Sequence, residues 1–565
     1  MGLPGGNLSE MPDIAFDRYY TYADLTEILR GYEQEFPDLV RVTSIGKSHE
    51  GRDIWLVTVS DCKTKPDSEK PAFWVDGNIH ASELSASTAS LMVIELLTRR
   101  GTAETAELLK THAFYVVPRL NPDGAEWAME NPPRIIRSST RSYPYDEEDF
   151  YGIERKDMDG NGRILWMRIP DPNGPWVESD LNPRLLMRRK PGLNKEQKAY
   201  RLLPEGEFHN WDGLTLRDRK VAQGLDLNRN FPSAWRLEGE QHGAGPFPTS
   251  EPEIHAAVKA VSERPNICGA VTFHTFSGVH LRPSSRYADD EMPPEDLWNF
   301  KTIGDKGFEM TGYPAISNYH EFRYHPKEVI TGVFDDWMYE HRGVYAWTTE
   351  IWSPQRQAGI KDYKYIDWFR DHPHEEDVKM LEWSDSALEG KGHYDWKEFE
   401  HPQLGKVEIG GWDREYAFRN PPPQFLEKEV TPLAEWVIWQ AGLSPRLEIT
   451  KVQINGGALR VVVQNVGWLS TGVTKHAVQK KMCRGVVGEI TKPNASGNDW
   501  LISGKLRQEG PQLEGWSSLG AAASMSWGSL GNEDQTVFEW VVQPGDYEVT
   551  FKHDRAGTVR KTVRV

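Results

Sequence analysis

A short apolar segment followed directly by a long helix-like segment is the feature that most limits the folds open to this chain. Residues 71–77, PAFWVDG, have the composition of a buried strand, and residues 83–100, ELSASTASLMVIELLTRR, are small and apolar over a helical length. A second strand-like run, AFYVVPRL, follows at 113–120. Buried strands that alternate with helices are typical of a sheet with helices on its faces. We therefore predict an α/β fold.

The chain is too long for one core, and its pattern changes twice. At 565 residues it should hold two or three domains. From about 138 to 223 the alternation gives way to Pro, Asp, Arg and Trp in irregular order, which we interpret as a long insertion over one end of the sheet. From about 446, short alternating runs such as ALRVVVQNVG and DYEVTFKHD predict an all-β sandwich. The predicted domains are 1–442 and 446–565.

Composition excludes several classes of function. The net charge of -18 argues against a nucleic-acid partner, whose phosphates need Lys and Arg. Cys62, Cys268 and Cys483 lie too far apart for a disulfide framework or a thiolate zinc cluster. No apolar run approaches the ~20 residues of a membrane-spanning helix, and the start MGLPGGNLSEMPD shows no signal peptide. We expect a cytoplasmic protein, unless a leader has been removed.

A histidine and a glutamate three residues apart follow the strand at 71–77. Within DGNIHASELSAS, His80 and Glu83 stand at the corner between that strand and the next helix. The same spacing begins again at His325 and at His372, so the spacing alone is more often a solvated surface pair. Only the first copy follows a buried strand and opens a helix, which puts both side chains at the carboxyl edge of a sheet, where α/β proteins bind ligands.

His274 is the candidate for a third ligand. It ends a strand-like run within GAVTFHTFSG. A single histidine there is more often a core residue with satisfied hydrogen bonds, but at a strand end equivalent to that of His80 and Glu83 the metal interpretation becomes the stronger one. A catalytic zinc usually takes three protein ligands and leaves one position for water. The sequence therefore predicts a zinc site formed by these three residues.

Five further short motifs accompany HASE along the chain, in a fixed order. The six are HASE at 80–83, NPDG at 121–124, LDLNRN at 225–230, SEPE at 250–253, FHTFSG at 273–278 and FDDWMYEHRGVYAWTTE at 334–350. In these motifs and their order, over about 19–352, the chain resembles the zinc carboxypeptidases of the carboxypeptidase A/B (M14) family. The resemblance implies a mixed central sheet flanked by helices, and removal of a C-terminal residue by a zinc-bound water.

The resemblance also implies roles for four side chains near the metal. Glu350 resembles the general base, which takes a proton from the water and passes it to the leaving amine. Asp226 resembles the carboxylate that fixes the tautomer of a ligand histidine. Arg137, in NPPRIIRSS, resembles the arginine that polarises the scissile carbonyl, and Arg134 resembles a substrate-subsite arginine. Which arginine has which role stays open, and both could be surface residues of a proline-bounded loop.

Asn228 and Arg229, in LDLNRN, resemble the pair that distinguishes an exopeptidase from an endopeptidase. A planar guanidinium can bind a carboxylate through two parallel hydrogen bonds, with the amide alongside. We therefore predict that the substrate is a peptide with a free C-terminal carboxylate.

The resemblance is weaker around the substrate side chain. The mobile tyrosine of the family lies eight residues before the aspartate equivalent to Asp336, and Glu328 stands at that position here. Tyr324 takes the role only if four residues are inserted. Asp335 falls where digestive relatives set their preference, and a carboxylate there would favour Lys or Arg, although the same DDW also occurs where the preference is different. Phe276 replaces the usual tyrosine two residues after the histidine ligand.

The insertion contains a segment that resembles half of a calcium loop. In DMDGNGRI, Asp157, Asp159 and Asn161 alternate as oxygen donors, and Gly162 permits a sharp turn, as in the first half of an EF-hand. Arg168 stands where the closing glutamate would be. Two interpretations remain open: calcium held with ligands from elsewhere, or an Asx-rich turn without metal.

The C-terminal segment VVVQNVGWLSTG resembles CARDB-type adhesion modules, which are β-sandwich appendages common in bacterial enzymes. Its role could be to bind a substrate or partner, or to brace the first domain.

Together these features predict a zinc metallocarboxypeptidase. One rival is a cell-wall or γ-glutamyl peptidase with the same zinc chemistry, in which the insertion narrows the pocket. A rival of another class is a binding protein that uses the groove to recognise a peptide or carbohydrate. Glu350 weighs against the binding protein, because recognition alone needs no base.

Overall fold

The computed structural model describes residues 14–144, 152–192, 198–216, 222–325, 327–361, 363–518 and 533–565. Residues 1–13, where no signal peptide is predicted, lie outside the described residues. So do 145–151, 193–197 and 217–221 of the predicted insertion.

The first part of the chain alternates helices and strands as predicted. A capping box between Thr21 and Asp24 begins the first helix, which buries Leu25, Leu29 and Tyr32 against the core. The elements in order are α1 (Tyr22–Glu35), β1 (Val40–Lys47), β2 (Asp53–Val59), β3 (Ala72–Gly77), α2 (Leu84–Leu97), α3 (Ala103–Thr111), β4 (Ala113–Val117) and α4 (Pro122–Met129).

The described part of the insertion contains short strands. They are β5 (Gly152–Arg155), β6 (Trp166–Pro170), β7 (Trp176–Glu178), β8 (Leu186–Arg188), β9 (Ala199–Pro204) and β10 (Gly206–His209).

Regular alternation then resumes and runs to the end of the first domain. The elements are α5 (Pro252–Ser262), β11 (Ile267–Thr275), β12 (Val279–Arg282), α6 (Pro294–Thr311), β13 (Ala315–Ser317), α7 (Asn318–Glu321), α8 (Phe334–Trp337), β14 (Tyr345–Ile351), α9 (Pro354–Gln357), α10 (Tyr365–Arg370), α11 (His374–Ala387), β15 (His393–His401), β16 (Gly405–Trp412) and α12 (Pro423–Ala441). Short 3-10 turns lie at Asp67–Glu69, Leu227–Arg229, Asp289–Glu291 and Trp516–Ser518, and π-helical turns at Met338–Arg342 and Arg414–Arg419.

Parallel strands form the centre of an eight-stranded mixed sheet. The strand order is β1-β2-β4-β3-β11-β14-β12-β13. β4, β3, β11 and β14 run parallel to one another, and β12 pairs in parallel with β13, whereas β1–β2, β2–β4 and β12–β14 are antiparallel pairs. Every residue of β3, β4 and β11 is buried, as expected for strands covered by helices on both faces. The predicted α/β class with a mixed sheet is confirmed.

The helix that follows β3 is buried almost throughout. α2 packs against β3 and β11, and α12 covers it and contacts α6 as well. The small residues at positions 87–90 let neighbouring elements pack closely around α2. The helix is therefore covered on all sides and has no polar face. The turn between β3 and α2 is therefore held from both sides.

The insertion is a second sheet and not an irregular covering, so that part of the expectation is corrected. β6, β9, β7 and β8 join the later hairpin β15–β16 in the order β15-β16-β6-β9-β7-β8, and β5 pairs with β10. A small core of apolar side chains holds the two parts together: Ile153, Leu165, Met167, Phe208, Val407 and Ile409. Strands of three to six residues carry too little periodicity to be recognised in sequence.

The C-terminal region forms two four-stranded antiparallel sheets around one core. Its elements are β17 (Leu447–Asn455), β18 (Ala458–Asn465), α13 (Lys475–Gln479), β19 (Val487–Thr491), β20 (Leu501–Ser503), β21 (Arg507–Glu509), β22 (Gln535–Val542), β23 (Asp546–His553) and β24 (Gly557–Arg564). The sheet orders are β17-β18-β22-β20 and β21-β19-β23-β24. Side chains from both sheets share the core, among them Val461, Trp540, Val549 and Phe551. This arrangement is the predicted β-sandwich.

Among the described residues, none of the helices combines the length and the apolar composition that a membrane crossing requires.

Candidate active site

Residues from three distant parts of the sequence meet at the carboxyl edge of the central sheet. His80 and Glu83 lie in the turn that leaves β3, His274 lies near the end of β11, and Glu350 lies near the end of β14. β11 runs parallel to both neighbours, and its register pairs His274 directly with Glu350. Because parallel strands end at one edge of a sheet, the topology brings these four side chains together.

The three candidate metal ligands converge on one point. His80 Nδ1 lies 2.9 Å from Glu83 Oε1, and His274 Nδ1 lies 3.1 Å from Glu83 Oε2. The two Nδ1 atoms are 3.1 Å apart, and all three side chains are buried. Two imidazoles and a carboxylate in this arrangement match the donor set of a catalytic zinc site.

The protonation of the three side chains also suits a divalent cation. Burial lowers the pKa of His274, which favours the neutral imidazole that a metal requires. Burial acts to raise the pKa of Glu83, but His80 and His274 together hold that pKa well below its ordinary value. Two ring nitrogens that face each other at 3.1 Å cannot both carry a hydrogen, so at least one of them presents a lone pair to the space between the rings. The residues present therefore fit zinc.

Asp226 orients one of the histidines. Its Oδ1 lies 3.0 Å from His80 Nε2, which leaves His80 Nδ1 with its lone pair towards the other ligands. Burial acts to raise the pKa of Asp226, but Arg137, Arg229 and His80 hold that pKa well below its ordinary value. Asp226 is thus an anion that accepts the hydrogen of Nε2, the position that the sequence analysis expects for it.

The turn that carries His80 and Glu83 is fixed by side-chain amides. Asn78, which has a left-handed backbone with φ of 58°, donates through Nδ2 to the carbonyl of His80 at 2.7 Å. Glu83 also accepts a hydrogen bond from the backbone N–H of Thr275 at 3.2 Å, which ties the turn to the end of β11.

Two residues from the segment after β16 hold the same turn from outside. Asn420 Nδ2 donates to the carbonyl of Ser82 at 2.7 Å, and Asn420 Oδ1 accepts from the N–H of Ser85 at 3.0 Å. Arg419 Nη1 donates to Ser82 Oγ at 2.7 Å. The sequence analysis missed both residues, because they lie beyond the motifs and no spacing links them to His80 or Glu83.

Arg137 lies beside the candidate ligands, whereas Arg134 does not. Arg137 Nε donates to Asp226 Oδ2 at 3.0 Å, and its Nη1 lies 3.5 Å from Glu83 Oε1. Arg134 is exposed, forms two hydrogen bonds of 2.5 Å with Glu130, and stacks over the ring of Trp127. The structure does not bring Arg134 to the site expected for a substrate-subsite arginine: an ion pair with Glu130, just after α4, holds its guanidinium away from the cavity.

Asn228 and Arg229 are presented by a 3-10 turn. The carbonyl oxygen of the Asn228 side chain accepts from the N–H of Phe334 at 2.9 Å, which leaves its NH2 group as a donor for a ligand. Arg229 Nη1 donates to the backbone carbonyl of Asn228 at 2.7 Å. Gly332 makes this packing possible, because a Cβ atom there would lie 2.2 Å from the carbonyl oxygen of Arg229.

Glu350 has a buried oxygen with no hydrogen-bond partner among the described residues, namely Oε2. Burial and the charge of Glu83 raise the pKa of Glu350 well above its ordinary value, and Arg137 and Arg419 oppose the rise. A carboxylate with an unused oxygen and a raised pKa is suited to accept a proton.

One cavity contains most of these groups and extends between β14 and the segment before α8. Its lining residues are His80, Arg137, Asn228, Arg229, His274, Leu281, Ser285, Asn318, Phe322, Arg323, Tyr324, Ile330, Val333, Asp335, Thr348 and Glu350. Arg134 and Glu328 do not line it.

Asp335 lies in this cavity and is 1% exposed. Its Oδ2 accepts from Asn318 Nδ2 at 2.8 Å, and the same amide lies 3.2 Å from Ser285 Oγ. Burial raises the pKa of Asp335 to about 6. Among the described residues no Lys, Arg or His side chain forms an ion pair with it. The neighbouring Asp336 instead accepts twice from the N–H of Ser285 and does not line the cavity.

Tyr324 is the tyrosine at the cavity entrance. As a whole, 49% of the residue is exposed. Its hydroxyl end faces the cavity, where burial raises the pKa of the hydroxyl and the nearby charges of Arg137 and Arg229 oppose the rise. Glu328 is exposed, and its N–H donates to the carbonyl of His325 within a turn. The alignment with four inserted residues is therefore the one that places a tyrosine at the site.

Phe276 does not line the cavity and lies in an aromatic cluster. Its ring contacts those of Tyr365, Phe369 and Phe418, with centroids 5.7–6.3 Å apart. Tyr365 donates its hydroxyl to the carbonyl of Phe276 at 2.6 Å. Phe276, which stands where the family usually has a tyrosine, thus packs against aromatic side chains of α10 and of the turn before Asn420.

The candidate calcium loop folds as a series of Asx turns. Asp157 accepts from the N–H groups of Gly160 and Gly162, each at 2.8 Å, and Asn161 accepts from that of Arg163 at 2.8 Å. Asp157, Asp159 and Glu205 do gather within 4.8 Å, but Glu205 accepts backbone hydrogen bonds from Met158 and Leu165. The oxygens are satisfied by the loop itself, so these residues give no support for calcium.

Comparison with protein families finds two matches. The zinc carboxypeptidase model, Peptidase_M14, matches residues 25–184 and 185–368, which is more than half of the chain. A domain of unknown function, DUF8731, matches residues 445–564 and coincides with the β-sandwich.

Similar curated proteins carry carboxypeptidase names. Carboxypeptidase B of Astacus astacus is 24% identical over 342 residues, which cover 59% of this chain and 86% of that protein. Carboxypeptidase D of Homo sapiens is 32% identical over 246 residues, 40% of this chain but only 17% of that protein. An inactive metallocarboxypeptidase, ecm14 of Talaromyces marneffei, is 30% identical over 142 residues, 24% of each chain.

Solved structures of similar proteins align with this chain at low sequence identity. Thrombin-activatable fibrinolysis inhibitor aligns with a TM-score of 0.44 at 17% identity, over 75% of this chain and 74% of the other. The carboxypeptidase A of Helicoverpa armigera aligns with a TM-score of 0.40 at 16% identity, over 66% of this chain and 74% of the other. Since the family model spans both the turn with His80 and Glu83 and the strands with His274 and Glu350, this chain belongs to the zinc carboxypeptidase family, Peptidase_M14.

Proposed function

We propose that this protein is an active zinc metallocarboxypeptidase that hydrolyses the last peptide bond of peptides with a free C-terminal carboxylate. The observation that carries the proposal is the position of Glu350. Its unused Oε2 shares one cavity with His80 and His274, with Arg137, and with the Asn228–Arg229 pair. Proton transfer, oxyanion stabilisation and carboxylate binding can therefore act on a single substrate.

Asn228 and Arg229 would bind the terminal carboxylate. The side-chain oxygen of Asn228 accepts a hydrogen bond from the N–H of Phe334, which orients the amide and makes its NH2 group available to the substrate. Arg229 adds a guanidinium that donates to the Asn228 carbonyl at 2.7 Å and lies 3.9 Å from Asp226 Oδ2. Two such donors in the cavity would select for a free chain end, because they can bind its carboxylate.

Arg137 and Glu350 would serve the reacting bond. Arg137 is held in place by Asp226 and points its guanidinium towards Glu83, so it can stabilise negative charge on the carbonyl oxygen of the scissile bond. Glu350 would accept a proton from the attacking water and deliver it to the leaving amine. Zinc bound by His80, Glu83 and His274 would act as a Lewis acid and lower the pKa of that water.

We further propose a preference for Lys or Arg as the last residue. Asp335 is a buried carboxylate in the cavity with an amide but no cation beside it. A buried carboxylate is stable as an anion only when a cation or several donors compensate the lost hydration. The side chain of a basic C-terminal residue would supply that cation, and Ser285 and Thr348 in the lining would accept its remaining N–H groups.

A binding protein without catalysis is the less favoured interpretation. One relative is named as inactive, so family membership alone does not decide the matter. In this chain His80, His274, Arg137 and Glu350 line one cavity, and Glu83 contacts both histidines. Recognition of a peptide would not require a carboxylate with a raised pKa beside the metal ligands.

The test is a panel of peptides that differ only in their last residue, incubated with the full-length protein and followed by mass spectrometry. Stepwise loss of single C-terminal residues, with Lys and Arg removed fastest, is expected. A panel with amidated C termini is the matched control and should resist hydrolysis. Internal cleavage, or equal hydrolysis of amidated peptides, would show that Asn228 and Arg229 do not select a chain end.

A further inference from the structure

The β-sandwich is attached to the segment that carries Asp335. α8 continues without interruption into the π-helical turn Met338–Arg342, and Gly343 ends it with a left-handed φ of 63°. The beginning of this segment contributes Asp335 to the cavity, and its end contacts the sandwich through α13 and Arg555.

The buried carboxylate of Asp296, on α6, accepts hydrogen bonds from both domains. The residue is 1% exposed. It accepts from the backbone N–H groups of Lys475 at 2.6 Å and His476 at 3.0 Å, at the start of α13. It also accepts from the hydroxyls of Tyr339 at 2.8 Å and Tyr345 at 3.3 Å. Tyr339 lies one helical turn after Asp335, and Tyr345 begins the strand that leads to Glu350.

Arg555 of the sandwich binds the other side of this segment. It is 4% exposed and donates to the carbonyls of Arg342, of Gly343 at 3.0 Å and of Gly472 at 2.6 Å. Thr474 Oγ1 donates to the same Gly343 carbonyl at 2.8 Å. The carbonyls at the end of a helical segment have no partner within it and carry partial negative charge, so a buried guanidinium suits them.

The contact between the two surfaces leaves no room for a larger side chain. A Cβ atom on Gly343 would lie 2.5 Å from the Cβ of Ala477 and 2.9 Å from the Sδ of Met482. The ring of His476 stacks on Tyr339 with centroids 5.0 Å apart. The segment is therefore packed directly on α13.

We propose, on the basis of the function proposed above, that the C-terminal sandwich positions the substrate pocket of the catalytic domain. Arg555 and α13 hold residues 338–343 and so fix where Asp335, one turn earlier, meets the substrate side chain. Arg555 is a positioning residue in this scheme, since it acts through the Arg342 and Gly343 carbonyls. The sandwich is thus part of the specificity apparatus.

The buried charges favour this role over that of a separately mobile binding module. If the sandwich moved away, Arg555 would lose the Arg342 and Gly343 carbonyls and keep only that of Gly472, and Asp296 would lose both backbone N–H donors of α13. Loss of one partner of a buried charge is strongly destabilising, so the two domains are expected to stay together. A tethered module would need neither group.

The test compares Arg555→Ala with Arg555→Lys and with a matched control, Arg560→Ala. Arg560 also joins the two domains, through two hydrogen bonds of 2.6 Å to Glu69, but it is exposed and does not contact residues 338–343. The measurements are kcat and KM for two blocked peptides that end in Lys and in Leu, together with bound zinc per chain.

Arg555→Ala is expected to lower the Lys-to-Leu ratio of kcat/KM by about tenfold, mainly through KM for the Lys peptide, because small displacements in a binding site have large effects on rate. Zinc content should not change. Arg555→Lys should restore part of the ratio, and Arg560→Ala should leave it as in the wild type. An unchanged ratio in Arg555→Ala, or an equal loss for both peptides, would overturn the proposal.

If Arg555→Ala does not fold, Thr474→Val replaces it, since this change keeps Arg555 and removes the hydroxyl hydrogen bond to the Gly343 carbonyl together with the N-cap bond from the N–H of Ala477. The same fall in the ratio is expected, and an unchanged ratio would count against the proposal equally. The underlying function is judged separately: a wild-type protein that hydrolyses neither peptide refutes the carboxypeptidase activity itself, whereas an active wild type with indifferent variants refutes only the role of the sandwich.

Discussion

His274 and Glu350 are paired residues of the neighbouring parallel strands β11 and β14. The register of two strands therefore places a candidate metal ligand and a candidate base side by side, 76 positions apart in the sequence. Side chains on rigid strands are positioned more accurately than side chains on loops. The remaining ligands, His80 and Glu83, come from the next parallel strand on the other side of β11.

The change Glu350→Gln tests the base. It keeps the size of the side chain but removes the group that accepts a proton, so kcat should fall by roughly 10²- to 10⁴-fold. Zinc content and KM should change little, because Glu350 is not among the three clustered metal-ligand candidates. Glu328→Gln, at an exposed position outside the cavity, is the control and should be fully active. A variant Glu350→Gln with near wild-type kcat would contradict the assignment.

The change Asp335→Asn tests the preference for basic residues. Removal of the buried carboxylate should cost about 2–5 kcal/mol of transition-state stabilisation for a Lys-terminated peptide and so lower its kcat/KM. The kcat/KM for a Leu-terminated peptide should stay the same or rise. Asp290→Asn, an exposed acidic residue, serves as the control. Unaltered selectivity after Asp335→Asn would show that another group sets the preference.

The same carboxylate predicts how the preference depends on pH. Burial raises the pKa of Asp335 to about 6, so the pocket is neutral below this pH and negatively charged above it. The Lys-to-Leu ratio of kcat/KM, which reports the free enzyme, should therefore rise as the pH increases through about 6. The ratio cancels the titration of Glu350, which affects both substrates. In Asp335→Asn the ratio should not depend on pH. A wild-type ratio that does not depend on pH would contradict the prediction.

The change Asn420→Ala tests the outer support of the metal-binding turn. Loss of its bonds to Ser82 and Ser85 should let the turn with His80 and Glu83 relax, and zinc should dissociate about 10- to 100-fold faster. Release to a colorimetric chelator measures this directly. Gln424→Ala, four residues later and exposed, is the control. Equal release rates in the two variants would mean that the turn does not depend on Asn420.

Local sequence patterns were sufficient for the parts of the site that follow buried strands. His80, Glu83 and His274 each stand at or just after an apolar run, and such runs can be recognised without knowledge of the fold. The all-β character of the C-terminal region was equally visible, because strands such as β18 and β22 alternate over eight residues.

Other parts of the site depend on tertiary contacts that no local pattern contains. Arg134 and Arg137 are indistinguishable in sequence, and only their ion pairs in the fold, with Glu130 for Arg134 and with Asp226 for Arg137, show which one lies beside the candidate ligands. Whether Tyr324 or Glu328 reaches the cavity depends on the path of the loop that carries both residues, which the sequence does not reveal. Asn420 reaches the Ser82 turn across 338 positions, so neither composition nor spacing could have identified it.

The most direct test of the central claim is a zinc titration of the metal-free, full-length protein with hydrolysis of a blocked Lys-terminated peptide as the readout. Activity should be absent without metal, rise linearly, and reach its plateau at one zinc per chain. In His274→Ala the tight site should disappear together with the activity. Hydrolysis that persists in the metal-free protein, or full activity of His274→Ala at one equivalent of zinc, would contradict a single zinc site formed by His80, Glu83 and His274 beside Glu350.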